Sequence, residues 1–107
     1  MEYLNQVELR GQVAHVRSSQ AGPFKYVRFS VLTMYSFTDK YGAHIVDTTW
    51  HKVMAFAGSP ETSGLDGLND GDIVHVKGRL RNSRTVSSDG SEKIHAEVFA
   101  NVVEKEI

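Results

Sequence analysis

Hydrophobic and polar residues alternate with a period of two along most of the chain. Successive side chains of a β-strand point to opposite faces, so this period predicts strands with one buried face. We predict five of them, over residues 5–17, 24–37, 45–57, 72–84 and 93–104. Helical spacing is limited to Leu65 and Leu68, which predict one short helical turn between the third and fourth strands.

Glycine-rich and polar segments separate the predicted strands. Ser18–Pro23 predicts a loop, Asp39–Gly42 a hairpin turn and Ser88–Ser91 a second turn. Gly11, inside the first strand, predicts a bulge or a tight bend. Five short strands at fairly even spacing, with one weak helical insert, are typical of a small closed barrel. We therefore predict a single all-β domain over residues 1–107, an OB-fold five-stranded Greek-key barrel with a short helical insert between strands 3 and 4.

The third strand carries the most informative pattern. Its alternation gives a core-like face of His51, Val53 and Ala55, and an opposite face of Trp50, Lys52, Met54 and Phe56. Rings and a cation in one row suit a nucleic-acid single strand, because bases stack on the rings and the cation meets phosphate. Two other interpretations stay open. The rings belong to the core, with the lysine reaching to the edge, or the face lies in a subunit interface.

The fourth strand predicts a one-sided stripe of cations. Val74, Val76 and Leu80 share the buried parity, whereas the other parity and the following loop carry His75, Lys77, Arg79, Arg81 and Arg84. A solvated strand face usually mixes both signs of charge, and this one has no acid between residues 73 and 84. The second strand adds Tyr26 and Arg28 on the parity opposite its core face of Val27, Phe29 and Val31. We interpret these side chains as a binding surface.

Composition narrows the function classes. The 107 residues include 12 basic and 13 acidic side chains, so the near-neutral total argues mildly against a nucleic-acid ligand. No cysteine is present, and the five histidines show no metal-binding spacing. Nucleophile-elbow and phosphate-loop motifs are also missing. We therefore expect no enzyme activity, no metal and no cofactor. No signal peptide and no apolar run of about 20 residues are seen, so we expect a cytoplasmic protein without membrane contact.

Four segments resemble the bacterial single-stranded DNA-binding protein family. Thr49-Trp50-His51-Lys52-Val53, with Phe56 after it, is similar to the family's T-E-W-H-R-V-x-x-F segment, and residues 29–33 are similar to F-S-L-A-T. Residues 71–81 resemble G-S-x-V-x-V-E-G-R-L-R, and residues 89–103 resemble the family's final strand. Order and spacing match over nearly all of residues 5–103.

The resemblance implies a non-catalytic protein that coats single-stranded DNA without sequence preference during replication, recombination or repair. Bases would stack on Phe37, Trp50 and Phe56, beside Met54. Phosphates would meet cations at Arg28, Lys52, Lys77, Arg79, Arg81 and Arg84. The position of a fourth family aromatic matches Thr85, so we expect weaker or shorter binding unless Tyr26, Tyr35 or Tyr41 substitutes.

The resemblance also implies a homotetramer or homodimer, with His51 at the subunit interface. The sequence ends at residues 104–107 without the family's acidic tip, so recruitment of repair enzymes is not expected. Three alternatives remain at this point: a role in replication restart like that of the primosomal replication protein N, an OB-fold protein-interaction module without nucleic-acid binding, and single-stranded RNA as the ligand. The resemblance places such a protein with the bacterial nucleoid.

Overall fold

The computed structural model describes residues 2–106. Its strands are β1 (Val7–Ala21), β2 (Phe24–Thr38), β3 (His44–Phe56), β4 (Ile73–Val86) and β5 (Glu92–Glu106). A short 3-10 helix, Pro60–Leu65, follows β3. The five predicted strands and the helical insert between strands 3 and 4 are confirmed.

The strands close into a barrel in the order β1-β2-β3-β5-β4. β1 closes it by pairing antiparallel with β2 on one side and with β4 on the other. A short parallel pairing joins Val53–Ala55 of β3 to Val98–Ala100 of β5. This arrangement confirms the predicted five-stranded OB-fold barrel.

Alternating apolar side chains of all five strands fill the barrel. In β2, Val27, Phe29 and Val31 are 3%, 3% and 0% exposed, which confirms the predicted core face. Leu65 and Leu68, 6% and 7% exposed, pack against this core from the helical segment. The remaining buried hydrophobic residues of the cluster are Val13, Val53, Ala55, Val74, Val76, Val98, Ala100 and Val103.

Two hairpins continue past the barrel as arms. β2 and β3 stay paired without interruption from Tyr26 opposite Phe56 to Thr38 opposite His44, and β4 and β5 stay paired to Val86 opposite Glu92. The turn predicted over residues 39–42 is confirmed, with the Asp39 carboxylate accepting hydrogen bonds from two backbone N–H groups. Large hydrophobic side chains on the arms are exposed, because no second layer formed by residues 2–106 covers them.

Three expectations about local structure are wrong. The predicted loop over Ser18–Pro23 is mostly strand, since β1 runs to Ala21 before a tight turn. Gly11 forms no bulge, because it pairs regularly with Val74; a glycine is needed here because an added Cβ would lie 2.0 Å from the Leu32 carbonyl oxygen. Leu80, predicted to be buried, is 48% exposed because β4 has left the barrel at this point.

Candidate nucleic-acid interface

A cleft of about 400 Å³ lies between the β4–β5 arm and the outer face of β1, β2 and β3. Four permanent cations from four strands line it, because the arm folds over side chains that are distant in sequence. They are Arg17, Arg28, Lys52 and Arg84. His15, His95, Thr85 and the buried Glu97 complete much of the wall. Four cations against the one carboxylate in the lining give the cleft a positive charge that the net charge of −1 does not reveal, although Arg84 also lies 3.7 Å from the exposed Glu92 carboxylate.

Trp50 lies beside this cleft and is 53% exposed. Together with Lys52, Leu80, Ile94 and His95 it lines a second depression between β3 and β5. Lys52, His95 and Glu97 line both depressions, so the two adjoin. An aromatic ring that is half exposed next to a row of cations offers a stacking surface to a base whose phosphate reaches the cleft.

Glu97 is the acid that the sequence analysis missed on this surface. Glu97 is 6% exposed, and its carboxylate accepts hydrogen bonds from the Arg81 guanidinium at 3.1 and 3.2 Å. The Arg28 Nε lies 3.8 Å from its other oxygen. β4 itself carries no acid between residues 73 and 84, but in the folded molecule β5 brings the Glu97 carboxylate between Arg28 of β2 and Arg81 of β4. Glu97 holds the two arginines in place while cancelling part of their charge.

Met54 shares the face of Trp50, as the alternation predicts, but its side chain is only 6% exposed. An Arg81 Nη2 lies 3.1 Å from the Met54 sulfur and covers it. The expectation that Met54 presents an open contact to a ligand is therefore wrong. Lys52 on the same face is exposed, as predicted.

An aromatic and arginine cluster extends the surface along the barrel. Phe56, 37% exposed, lies with its ring centroid 5.9 Å from those of Tyr26 and Phe99. The guanidinium carbons of Arg79 and Arg81 lie 4.8 and 4.4 Å from the Phe99 ring centroid. Phe99 was not predicted as a surface residue, although its parity, opposite to that of the buried residues at 98 and 100, indicates it.

The predicted cationic stripe of β4 is divided. Arg79, Arg81 and Arg84 lie near the aromatic cluster and the cleft, whereas Lys77 lines a separate depression near Glu8. His75 is hydrogen-bonded to the Glu8 carboxylate, and this bond holds the pKa of Glu8 below its usual value. β1 therefore places an acid, Glu8, beside His75 and Lys77 at the start of the stripe.

Phe37 lies away from Trp50. The β2–β3 register pairs Leu32 with Trp50 and Phe37 with Ile45, so strand alternation puts Phe37 on the hairpin face that carries His51. The Phe37 ring packs 5.9 Å from that of Tyr35. The His51 Nε2 lies 2.8 Å from the Thr33 hydroxyl oxygen on the same face. Of the three predicted stacking rings, Trp50 and Phe56 share a face and Phe37 does not.

Sequence analysis also missed three cleft residues, His15, Arg17 and His95. Strand alternation does not predict the orientation of the first two, because β1 changes register between Ala14 and Arg17.

Within residues 2–106, no three His, Asp or Glu side chains come together in a metal-binding group. The described part of the chain likewise has no helix long and apolar enough to cross a membrane.

A closed five-stranded barrel with a cation-lined cleft and an exposed ring beside it defines an OB-fold protein with a surface for an extended anionic ligand. The chain belongs to the single-strand binding protein family, whose model matches residues 4–105. It is 32% identical over 101 residues to the single-stranded DNA-binding protein of Xanthomonas campestris, covering 92% of this chain and 58% of the relative. It is 31% identical to single-stranded DNA-binding protein 1 of Xylella fastidiosa, covering 94% and 75%. The chain thus spans little more than half the length of the Xanthomonas protein.

Solved structures share the fold at lower identity. The Plasmodium falciparum SSB in complex with ssDNA superposes with a TM-score of 0.77 and 20% identity, covering 99% of this chain and 96% of that one. A deletion mutant of the Thermus aquaticus single-stranded DNA binding protein gives a TM-score of 0.78 and 22% identity, covering 97% and 51%. These likenesses establish the same barrel topology across distant sequences.

Proposed function

We propose that this chain binds single-stranded DNA without sequence preference and protects it during replication, recombination or repair, without catalysing a reaction. The observation that carries the proposal is the half-exposed Trp50 ring beside a cleft lined by four cations. Family membership and relatives named single-stranded DNA-binding protein support it.

The chemistry of the surface favours a single strand over a duplex. Both faces of a base in a duplex are covered by its neighbours, so a ring such as Trp50 stacks only on an unpaired base. The cleft cations contact phosphates, which are the same for every base. Rings and cations therefore bind the strand without reading its sequence.

Salt dependence tests the phosphate contacts. Replacing Lys52 and Arg84 with glutamine removes two cleft cations. Each phosphate that a cation neutralises contributes about −0.7 to the slope of log affinity against log salt concentration. The slope for oligo-dT should therefore become shallower by about 1.4 in this double variant. The matched control replaces Arg10 and Lys40 with glutamine; these cations contact Glu106 and the Tyr41 ring instead of the cleft. Equal slopes for the two double variants, or no oligo-dT binding by the unmodified chain, would contradict the proposal. The same assay with oligo-rU and with duplex DNA compares the ligand classes.

We also propose that copies of the chain associate as a dimer or tetramer through the hairpin face of His51. Tyr35 and Phe37 on this face are 69% and 41% exposed, and large exposed apolar side chains of this kind favour a protein contact. Tyr35→Glu should therefore lower the mass measured by light scattering and leave the fold unchanged by circular dichroism. An unchanged mass would refute this interface.

We propose in addition that the protein is cytoplasmic and associated with the nucleoid, because exposed single strands arise on bacterial DNA.

A further inference from the structure

His15 has an unusual backbone for a residue with a side chain. Its φ is 58°, and it is the one non-glycine residue with positive φ within residues 2–106. It lies where β1 changes register, between Ala14 and Arg17. The left-handed region is unfavourable for residues with a Cβ, so such a residue persists only where the surrounding structure imposes the conformation.

The loop before β4 imposes it. The Val13 N–H donates to the Asp72 carbonyl at 2.8 Å, and the Gly71 N–H donates back to the Val13 carbonyl at 2.8 Å. On the C-terminal side of His15, the Val16 N–H donates to the Asp70 carboxylate at 3.1 Å. The backbone at residue 15 is thus fixed from both sides, and a glycine or asparagine would adopt it at lower cost.

The imidazole ring has no role in the core, because His15 is exposed. The bulge instead turns the ring toward the binding surface, as bulges beside functional sites often do. Its centroid lies 6.2 Å from that of Trp50, with the ring planes at 55°. The ring also lines the cleft, where the surrounding ionisable groups are Arg17, Arg28, Lys52, Arg84, His95 and Glu97.

We propose that His15 is a base-stacking residue, held by the β1 bulge so that its ring and the Trp50 ring together form one platform for a nucleobase. This inference rests on the proposed single-strand binding and specifies a contact within it. It accounts for a strained residue at a position where glycine would be less strained, and it gives Trp50 a neighbouring ring at the edge of the cleft.

The test uses two variants that suit the left-handed backbone, His15→Gly and His15→Asn. At pH 8, each should weaken oligo-dT binding about fivefold, the lower end of the range for loss of one stacking ring. Neither should lower the urea midpoint of unfolding, and His15→Gly should raise it. His44→Asn, on an exposed histidine at the far end of the β2–β3 arm, is the control and should leave affinity unchanged. Emission from Trp50 in the free protein should shift in the His15 variants and not in the control.

The outcomes separate the two proposals. If the unmodified chain does not bind oligo-dT, the proposed function itself fails. If it binds and both His15 variants bind equally well, single-strand binding stands and the role of His15 is refuted. A loss of affinity accompanied by a lower urea midpoint in both variants would also refute it, because His15 would then act through the fold. Weaker binding at equal or higher stability supports the proposal.

Discussion

The two halves of the β2–β3 hairpin differ in how far their apolar side chains are buried. Within the barrel, one face of β2 is sealed, and Phe29 and Val31 are 3% and 0% exposed. Past Thr33 both faces are open, and Met34 and Tyr35, on opposite faces, are 68% and 69% exposed. The same alternating pattern of a strand thus serves two purposes. In the barrel half its apolar residues stabilise the fold, and in the arm half they remain available to a ligand or a second copy.

The largest effect that tests this comparison comes from two phenylalanines of the same strand. Phe29→Ala removes a buried ring and should lower the free energy of unfolding by about 3–5 kcal/mol. Phe37→Ala removes one that is 41% exposed in the single chain and, at protein concentrations low enough to keep the chain monomeric, should change it by no more than about 0.5 kcal/mol. Urea unfolding followed by circular dichroism measures both. Similar losses would mean that the arm is part of the cooperative core.

Trp50→Ala should reduce the affinity for oligo-dT by about 1–3 kcal/mol, the range measured for loss of one base–aromatic stack. Stability should hardly change, since the ring is half exposed. Fluorescence anisotropy of a labelled oligomer gives the affinity. Tyr3→Ala, which removes a ring that is 92% exposed near the N-terminus, is the control. If both variants lose affinity equally, the assignment of Trp50 is wrong.

A gain of binding is expected when the cleft receives another ring. Thr85 lines the cleft with a small side chain, so Thr85→Tyr should add a stacking ring there and tighten oligo-dT binding by about 1 kcal/mol. Ser88→Tyr adds the same ring to the turn of the same arm and should have no effect. Tightening by both variants would indicate nonspecific adhesion of the added ring rather than stacking in the cleft.

The smallest effect concerns the turn of the β4–β5 arm. The Asp89 carboxylate accepts hydrogen bonds from the Ser91 hydroxyl at 2.7 Å and the Ser91 N–H at 3.0 Å, and these lower the pKa of Asp89. A lowered pKa in the folded state means that the contribution to stability is present above the unfolded value of about 3.9 and is lost as the pH falls through the folded value. Asp89→Ala should therefore be slightly less stable at pH 7, and the difference should shrink toward pH 3. A difference at pH 3 as large as that at pH 7 would refute this linkage.

Local alternation was enough to predict much of the fold. It gave the five strands, the buried parity of β2 and the opposite orientations of Trp50 and Val53, because these depend only on neighbours in sequence. The cleft could not be predicted in this way. It forms only when the β4–β5 arm folds over β1, β2 and β3 and brings Glu97 between Arg28 and Arg81.

Two further errors have the same origin. Leu80 follows the buried parity of β4, yet it lies where the strand has left the barrel, and alternation does not reveal where a barrel ends. His15 and Arg17 reach the cleft through a bulge that is held by hydrogen bonds from residues 70–72. Such long-range backbone contacts leave no periodic signal in the sequence.

The most direct test of single-strand binding uses the intrinsic fluorescence of Trp50, the only tryptophan in the chain. Titration with oligo-dT at low salt should quench this emission in proportion to the bound fraction, and added salt should reverse the quenching. We predict that the quenching and the anisotropy of a labelled oligomer saturate at the same oligo-dT concentration. Saturating binding that leaves the Trp50 emission unchanged would contradict it, because the strand would then lie elsewhere on the barrel.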